Sequence, residues 1–98
     1  MHVLDQIRAK RDEIYAIARK HKAEKLWVFG SCARCEERPD SDIDFLVDFN
    51  NTASLLDHGR LYNTLSELFG RSVDVVDRGA VKAGSIFATM LERDAVSI

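Results

Sequence analysis

The sequence predicts an α+β domain in which helices pack on a small mixed β-sheet of three to four strands. Segments with helical spacing of apolar residues alternate with short β-branched runs, and turn residues separate the segments. A chain of 98 residues is long enough for one domain with a modest core. No repeat, low-complexity segment or linker divides it, so residues 1–98 are expected to form a single domain.

The predicted elements have recognisable boundaries in several places. Pro39, the only proline, marks a break before a strand, and Gly70 is well placed just past the end of a helix. The elements expected in order are helix 4–22, strand 26–29, strand 43–49, helix 54–69, strand 72–77, helix 81–93 and a final edge strand 95–98. Apolar residues at helical spacing are expected to form the buried seams of the last two helices. These residues are Leu55, Tyr62, Leu65 and Phe69 in the first, and Ile86, Phe87, Met90 and Leu91 in the second.

Composition and charge argue against several classes of protein. The formal net charge is −2 and the isoelectric point is about 5.9, so no bulk positive charge favours direct binding of nucleic acid. The first residues lack the apolar core of a signal peptide, and no apolar run approaches the length that crosses a membrane. The chain is therefore expected to be cytoplasmic, with no membrane partner.

One motif carries most of the functional information. An apolar run ends at Gly30-Ser31, and after ten intervening residues Asp42 and Asp44 open a second run. A tight turn after a strand leaves backbone N–H groups free to hold phosphate oxygens. Because side chains alternate along a strand, Asp42 and Asp44 are expected on one face, where hard oxygen ligands favour Mg²⁺. The pattern indicates metal-assisted transfer from a nucleoside triphosphate.

A third acid strengthens this interpretation. Asp74 lies between valines in the third predicted strand, and if that strand pairs beside the second it reaches the same face. Three carboxylates can hold two Mg²⁺ ions about 3.5–4 Å apart, the spacing used for in-line phosphoryl transfer. We therefore expect Asp42, Asp44 and Asp74 to be the catalytic metal ligands, and Gly30 and Ser31 to bind phosphate. Arg34 is expected to contact a phosphate oxygen as well.

The same residues have plainer explanations. Asp42 and Asp44 could form a turn or a helix cap after Ser41, and Arg34 could be a solvated loop charge. No glycine-rich dinucleotide motif and no P-loop is present, and Ser31 has no positioned histidine partner that would suggest a hydrolase. Trp27, in an apolar run, is interpreted as a core residue, or as an interface residue if it lies at a strand edge.

Cys32 and Cys35 form a C-x-x-C pair inside the expected phosphate loop. Two cysteines cannot complete a structural zinc site, and the three histidines do not stand at zinc-finger spacings from them. The pair is interpreted as two unrelated thiols of a reducing compartment. A sharper hypothesis is that oxidation closes a small ring and distorts the loop.

These motifs resemble the signature of the polymerase-β-type nucleotidyltransferases. The order and spacing resemble their minimal members, the MNT-domain proteins of prokaryotes, over nearly the whole chain. The resemblance implies an antitoxin that transfers AMP from ATP to a tyrosine of a HEPN-domain toxin ribonuclease, with Mg²⁺ as cofactor and a hetero-oligomer as the assembly. It assigns the metals to Asp42, Asp44 and Asp74. Cys35 departs from the pattern, because relatives commonly have glycine there.

Two other functions stay open at this point. The chain could neutralise a toxin by binding alone, with its acids retained but unused. It could also transfer a nucleotide to a small hydroxylated molecule such as an aminoglycoside. The small size favours a protein partner, because 98 residues leave little surface for an acceptor pocket.

Overall fold

A computed structural model describes the whole chain, Met1–Ile98. Its elements are α1 (Val3–Ala9), α2 (Arg11–Lys20), β1 (Ala23–Phe29), α3 (Gly30–Ala33), β2 (Ile43–Phe49), α4 (Leu55–Phe69), β3 (Val73–Asp77), a 3₁₀ turn (Arg78–Ala80), α5 (Ile86–Asp94) and β4 (Val96–Ser97). The order agrees with the predicted α+β fold class. No helix has the length and apolar character needed to span a membrane.

The four strands form one mixed sheet in the order β3-β2-β1-β4. β1 is antiparallel to both β2 and β4, whereas β2 and β3 are parallel. Helix α4 forms the crossover that parallel neighbours require. The short β4 confirms the predicted final edge strand, and it pairs with the middle of β1.

The two faces of the sheet differ sharply. One face, which we call the closed face, carries the fully buried side chains of Leu26, Val28, Ile43, Phe45 and Val47. These residues form one core cluster with apolar residues of α1, α2 and α4. On the opposite, open face the same strands present Trp27, Phe29 and Leu46 together with acidic side chains. The open face is flanked only by the 3₁₀ turn and α5.

The predicted first helix is wrong in one respect, because the structure divides it into α1 and α2. The chain leaves helical geometry at Lys10, which has φ −102° and ψ 15°. The break lets the buried residues of both helices, Ile7 and Ile14 among them, reach one core. Tyr15 of α2 then secures the fold, since its hydroxyl accepts the N–H of Leu26 at 3.2 Å and donates to the carbonyl of Ile98 at 3.0 Å.

Helix α4 begins and ends close to the predicted residues. Ser54 caps it, since its hydroxyl accepts the N–H of Asp57 while the Asp57 carboxylate accepts the N–H of Ser54. Gly70 ends it in the left-handed conformation, with φ 62°. The predicted seam was partly wrong. Leu55 is 90% exposed and Tyr62 41%, whereas Leu65 is buried as predicted and Leu61, which the seam did not include, is buried as well.

Helix α5 starts five residues later than predicted. The Asp77 carboxylate accepts the N–H of Gly79 and stabilises the 3₁₀ turn, and Ser85 caps the helix through the N–H of Ala88. Of its predicted seam only Leu91 is buried; the other three side chains are exposed. The buried seam was therefore wrong at Ile86, Phe87 and Met90.

Candidate active site

Strand pairing brings the predicted acids to one end of the open face. Phe29, the last residue of β1, pairs with Asp44 of β2, and Asp44 pairs with Asp74 of β3. Cross-strand partners share a face of the sheet. Asp42 lies two residues before Asp44, in the loop that enters β2. Asp44 and Asp74 are therefore neighbours beside the end of β1, where Gly30 follows, and Asp42 is near enough for its charge to act on Asp44.

Gly30 lies against this acid group and has to be glycine for two reasons. Its φ is +73°, in the region that L-amino acids with side chains rarely adopt. A β-carbon at this position would also collide with Oδ2 of Asp44. Ser31 follows in the single helical turn of α3, which replaces the tight turn expected from the sequence. Gly30 and Ser31 thus lie next to the carboxylates, as a phosphate-binding role requires.

The electrostatics of the group centre on Asp44. Burial, together with the neighbouring carboxylates of Asp74 and Asp42, raises the pKa of Asp44 to about 6, although the charge of Arg34 opposes the shift. Asp44 is half-buried, whereas Asp42 and Asp74 are exposed. Like charges in a partly dry environment disfavour the ionised form of the group between them. A cation beside Asp44 would relieve this repulsion.

The donor set fits Mg²⁺ in chemistry, since all candidate ligands are hard carboxylate oxygens on one face. As the side chains stand, however, no three histidine, cysteine, aspartate or glutamate side chains are gathered around one point. The register pair Asp44 and Asp74 is the fixed part of the arrangement. Asp42 belongs to the preceding loop, so its side chain is the member that depends on the loop conformation.

Arg71 holds that loop in place, and sequence reasoning did not single it out. Its guanidinium donates hydrogen bonds to the carbonyl oxygens of Arg38, Pro39 and Ser41, directly before Asp42. Arg71 lies between Gly70, which caps α4, and the start of β3. A residue at this position can reach the loop that enters the neighbouring strand β2, and this was the one signal in the sequence for its role. Arg71 thus positions the backbone from which Asp42 extends.

Arg34 lies close to the acid group and pairs with two carboxylates. Its guanidinium contacts Asp94 of α5 at 3.2 Å and Glu36 at 3.3 Å. It is close enough to lower the pKa of Asp44 by its charge. These two ion pairs use Nε and Nη1, so the Nη2 donors of Arg34 stay available for a phosphate oxygen.

Cys32 and Cys35 are both free thiols with different surroundings. Cys32 is fully buried in the core cluster, where burial raises its thiol pKa, and its sulfur donates to the carbonyl of Asp42 at 3.6 Å. Cys35 is half-buried and has φ 57°. The left-handed conformation agrees with the expectation that this position favours glycine.

Comparison with known sequences connects this geometry to a family. The sequence profile of the polymerase beta nucleotidyltransferase family matches residues 12–96, which include every residue of the acid group. An inferred protein adenylyltransferase of Methanocaldococcus jannaschii is 42% identical over 69 residues, which are 70% of this chain and 74% of that protein. Protein adenylyltransferase MntA of Thermococcus cleftensis is 40% identical over 81 residues, with 74% of this chain and 82% of MntA covered.

Solved structures agree with the sequence comparison. An inferred minimal nucleotidyltransferase superposes with a TM-score of 0.84 at 37% identity, covering 100% of this chain and 97% of that one. The fold also recurs in the complex of a tri-AMPylated Shewanella oneidensis HEPN toxin with its MNT antitoxin. There the TM-score is 0.67 at 18% identity, with 92% of this chain and 69% of that chain covered, which is a likeness of fold.

Proposed function

The chain belongs to the polymerase β nucleotidyltransferase family, and from this premise we propose that it transfers AMP from ATP to a hydroxyl group of a partner protein. The observation that carries the proposal is the contact between Gly30 and Asp44, in register with Asp74. This contact joins a phosphate-binding turn to a carboxylate pair. The relatives named protein adenylyltransferases support the same reaction class.

Each residue has a role in this reaction. Gly30 lets the Asp44 carboxylate lie against the backbone of the turn. Ser31 and the first N–H groups of α3, which have no intrahelical partner, bind the oxygens of a phosphate. Asp42, Asp44 and Asp74 would hold two Mg²⁺ ions, which when bound neutralise charge on the triphosphate and lower the pKa of the acceptor hydroxyl. Arg34 is proposed to contact a phosphate oxygen through guanidinium N–H groups that Glu36 and Asp94 do not use.

The transfer itself is a single displacement. The acceptor oxygen attacks the α-phosphorus of ATP, a new P–O bond forms, and the bond from that phosphorus to the bridging oxygen breaks. Pyrophosphate leaves with the bonding electrons. The acceptor proton passes to a carboxylate, and we assign this to Asp74, because it is exposed and is the cross-strand neighbour of Asp44.

The partner proposed is a HEPN-domain toxin, with a tyrosine as the acceptor, so that the chain acts as an antitoxin. The fold shared with the antitoxin bound to an AMPylated HEPN toxin supports this assignment. Large apolar side chains left exposed on α4 and α5 also favour a protein partner.

The test incubates the chain with α-labelled ATP, Mg²⁺ and a HEPN-domain protein as the candidate partner. We expect label on the HEPN protein, at a tyrosine identified by mass spectrometry. Asp44→Asn should lower the transfer rate about 100-fold or more. Asp12→Asn is the matched control, since Asp12 is an exposed acid of α2 and should leave the rate unchanged.

Other outcomes would replace the proposal. A tight complex that carries no label would show neutralisation by binding alone. Label on an added aminoglycoside, with none on the HEPN protein, would show a small-molecule transferase. Equal transfer by Asp44→Asn and the unmodified chain would remove Asp44 from the active site.

A further inference from the structure

We propose that a cavity on the open face is the acceptor subsite, which takes an aromatic hydroxyl side chain of the partner protein. The inference rests on the proposed function. The cavity has a volume of about 420 Å³ and lies between the sheet and α5. Trp27 and Leu46 line it from the sheet, and Ala88 and Leu91 line it from α5.

The position of the cavity relative to the acids is set by strand geometry. Leu46 is two residues beyond Asp44 on β2, so the two side chains point to the same face. Two residues of strand span roughly 7 Å. This distance is close to the reach of a phenol ring from its backbone to its hydroxyl. A ring lying over Leu46 therefore brings its oxygen to Asp44 without any change in the sheet.

The walls of the cavity suit an aromatic side chain. The indole ring of Trp27 forms one wall, and the Arg78 guanidinium lies 5.3 Å from the centroid of this ring. Leu46 and Leu91 are apolar and buried. Aromatic rings gain both apolar contact and favourable ring geometry in such surroundings. The cavity thus has an apolar floor for a ring and a polar rim for the backbone that carries it.

The charges at the rim do not form a site for the triphosphate of a nucleotide. Asp48 and Glu92 are the acidic residues that line the cavity, and Arg78 is the one cationic residue in its lining. Lys25, the cross-strand partner of Asp48, lies 5.9 Å from the centroid of the Trp27 ring and balances the second carboxylate. The rim therefore has no surplus of positive charge for a triphosphate and suits a neutral phenol. The phosphates are instead accounted for at Gly30 and Ser31, at the end of β1.

The outer surface of α5 indicates that the occupant belongs to a protein. Ile86 is 84% exposed, Met90 46% and Phe87 38%, although all three are large and apolar. Phe87 packs against Phe29, with their ring centroids 5.7 Å apart, so this apolar surface continues to the end of the sheet that carries the acid group. A nucleotide in the cavity would leave these side chains in water. A protein that inserts one side chain would cover them at the same time.

Trp27 is the only tryptophan, so its fluorescence reports the cavity directly. The probe is N-acetyl-tyrosinamide, titrated into the chain with excitation selective for tryptophan, alone and with saturating AMP-PNP and Mg²⁺. We expect a saturable change in Trp27 emission that persists when AMP-PNP is present. Loss of the phenol signal on adding AMP-PNP would overturn the inference, because it would make the cavity the nucleoside site. A titration without response would overturn it as well.

Matched variants on α5 separate the cavity from the rest of the helix. Ala88→Phe fills the cavity, and Thr89→Phe adds the same ring to an exposed neighbour that does not line it. Ala88→Phe should weaken phenol binding about tenfold or more and leave AMP-PNP binding within twofold, whereas Thr89→Phe should change neither. Ala88→Leu is the smaller filling if Ala88→Phe does not fold. Unchanged phenol binding in the folded variant would refute the assignment.

The binding readout does not depend on catalysis. Absence of labelled HEPN protein would count against the proposed transfer, while the Trp27 titration would still decide the occupant of the cavity. In the transfer assay Ala88→Phe should raise the KM for the HEPN protein about tenfold and leave the KM for ATP unchanged. An equal rise in both would overturn the acceptor subsite.

Discussion

The closed and open faces are built by the same strands and have opposite properties. On β2, Phe45 is fully buried among helices, whereas its neighbours Asp44 and Leu46 face the acid group and the cavity. Because side chains alternate, one strand supplies both a core residue and a site residue within a single step. Three helices stabilise the closed face, and this rigid support allows the open face to carry crowded carboxylates.

The comparison teaches that stability and activity should respond to different residues of one strand. Substitutions on the closed face are expected to lower the free energy of unfolding. Substitutions in the acid group are expected to remove activity, and some of them should increase stability, because crowded carboxylates oppose folding when no cation is bound.

The largest effect on stability is expected at Phe45. It is among the largest fully buried side chains, and its ring lies 6.1 Å from that of Phe69. Phe45→Ala should lower the free energy of unfolding by about 3–5 kcal/mol, from the lost burial and the cavity that remains. Urea unfolding measures this change. A loss below about 1 kcal/mol would contradict the assignment of Phe45 to the core, and Phe45→Leu, which keeps most of the volume, serves as the control.

The adjacent residue should change stability in the opposite direction. Asp44→Asn removes a charge that burial and two neighbouring carboxylates disfavour. Since Asp44 is only half-buried, water screens part of this effect, and we expect a gain of about 1 kcal/mol at pH 7 in the presence of EDTA. Mg²⁺ should reduce the gain, because it neutralises the unmodified site.

The pH dependence of this gain has a definite sign. The pKa of Asp44 is about 6 in the folded chain and 3.8 without its surroundings, so only the folded chain takes up a proton between these values. The unmodified chain should therefore become more stable as pH falls from 7 to 4, and its difference from Asp44→Asn should disappear. At the acid end of this range and below it, Glu37 and Asp57 lower the stability of the fold. Their pKa values are lowered in the folded chain, so the unfolded chain takes up these protons first. A difference that is constant from pH 7 to pH 4 would contradict the account.

Local signals predicted much of this fold. The bounds of β2 and the glycine that ends α4 were readable because strand alternation and the left-handed cap depend on nearby residues. The juxtaposition of Asp44 and Asp74 was expected only if β3 paired beside β2, and the parallel register satisfies that condition. The contact between Gly30 and Asp44 could not be predicted from the sequence, since it depends on how closely β1 and β2 approach each other.

The errors have a common physical origin. Helical spacing shows which apolar residues lie along one side of a helix. It does not show which of them another element of the fold covers. Leu55 and Ile86 follow the spacing and are nevertheless exposed, because no element of the chain packs over them. Arg71 was missed for the same reason, since its partners are carbonyl groups 30 or more residues earlier in the chain.

The smallest effect on stability is expected at Cys35, in the connection between β1 and β2. Cys35 packs against the closed-face core with φ 57°, where a β-carbon costs about 1–2 kcal/mol and glycine costs less. Cys35→Ala keeps the β-carbon and loses the thiol contacts, so it should be less stable than Cys35→Gly, by about 0.5–1 kcal/mol in urea unfolding. Glycine usually destabilises relative to alanine, so the reversed order would identify the backbone as the cause. If Cys35→Ala is the more stable variant, the contacts of the β-carbon with the core outweigh the cost of the left-handed backbone. This position would then stabilise the fold in the same way as the closed face.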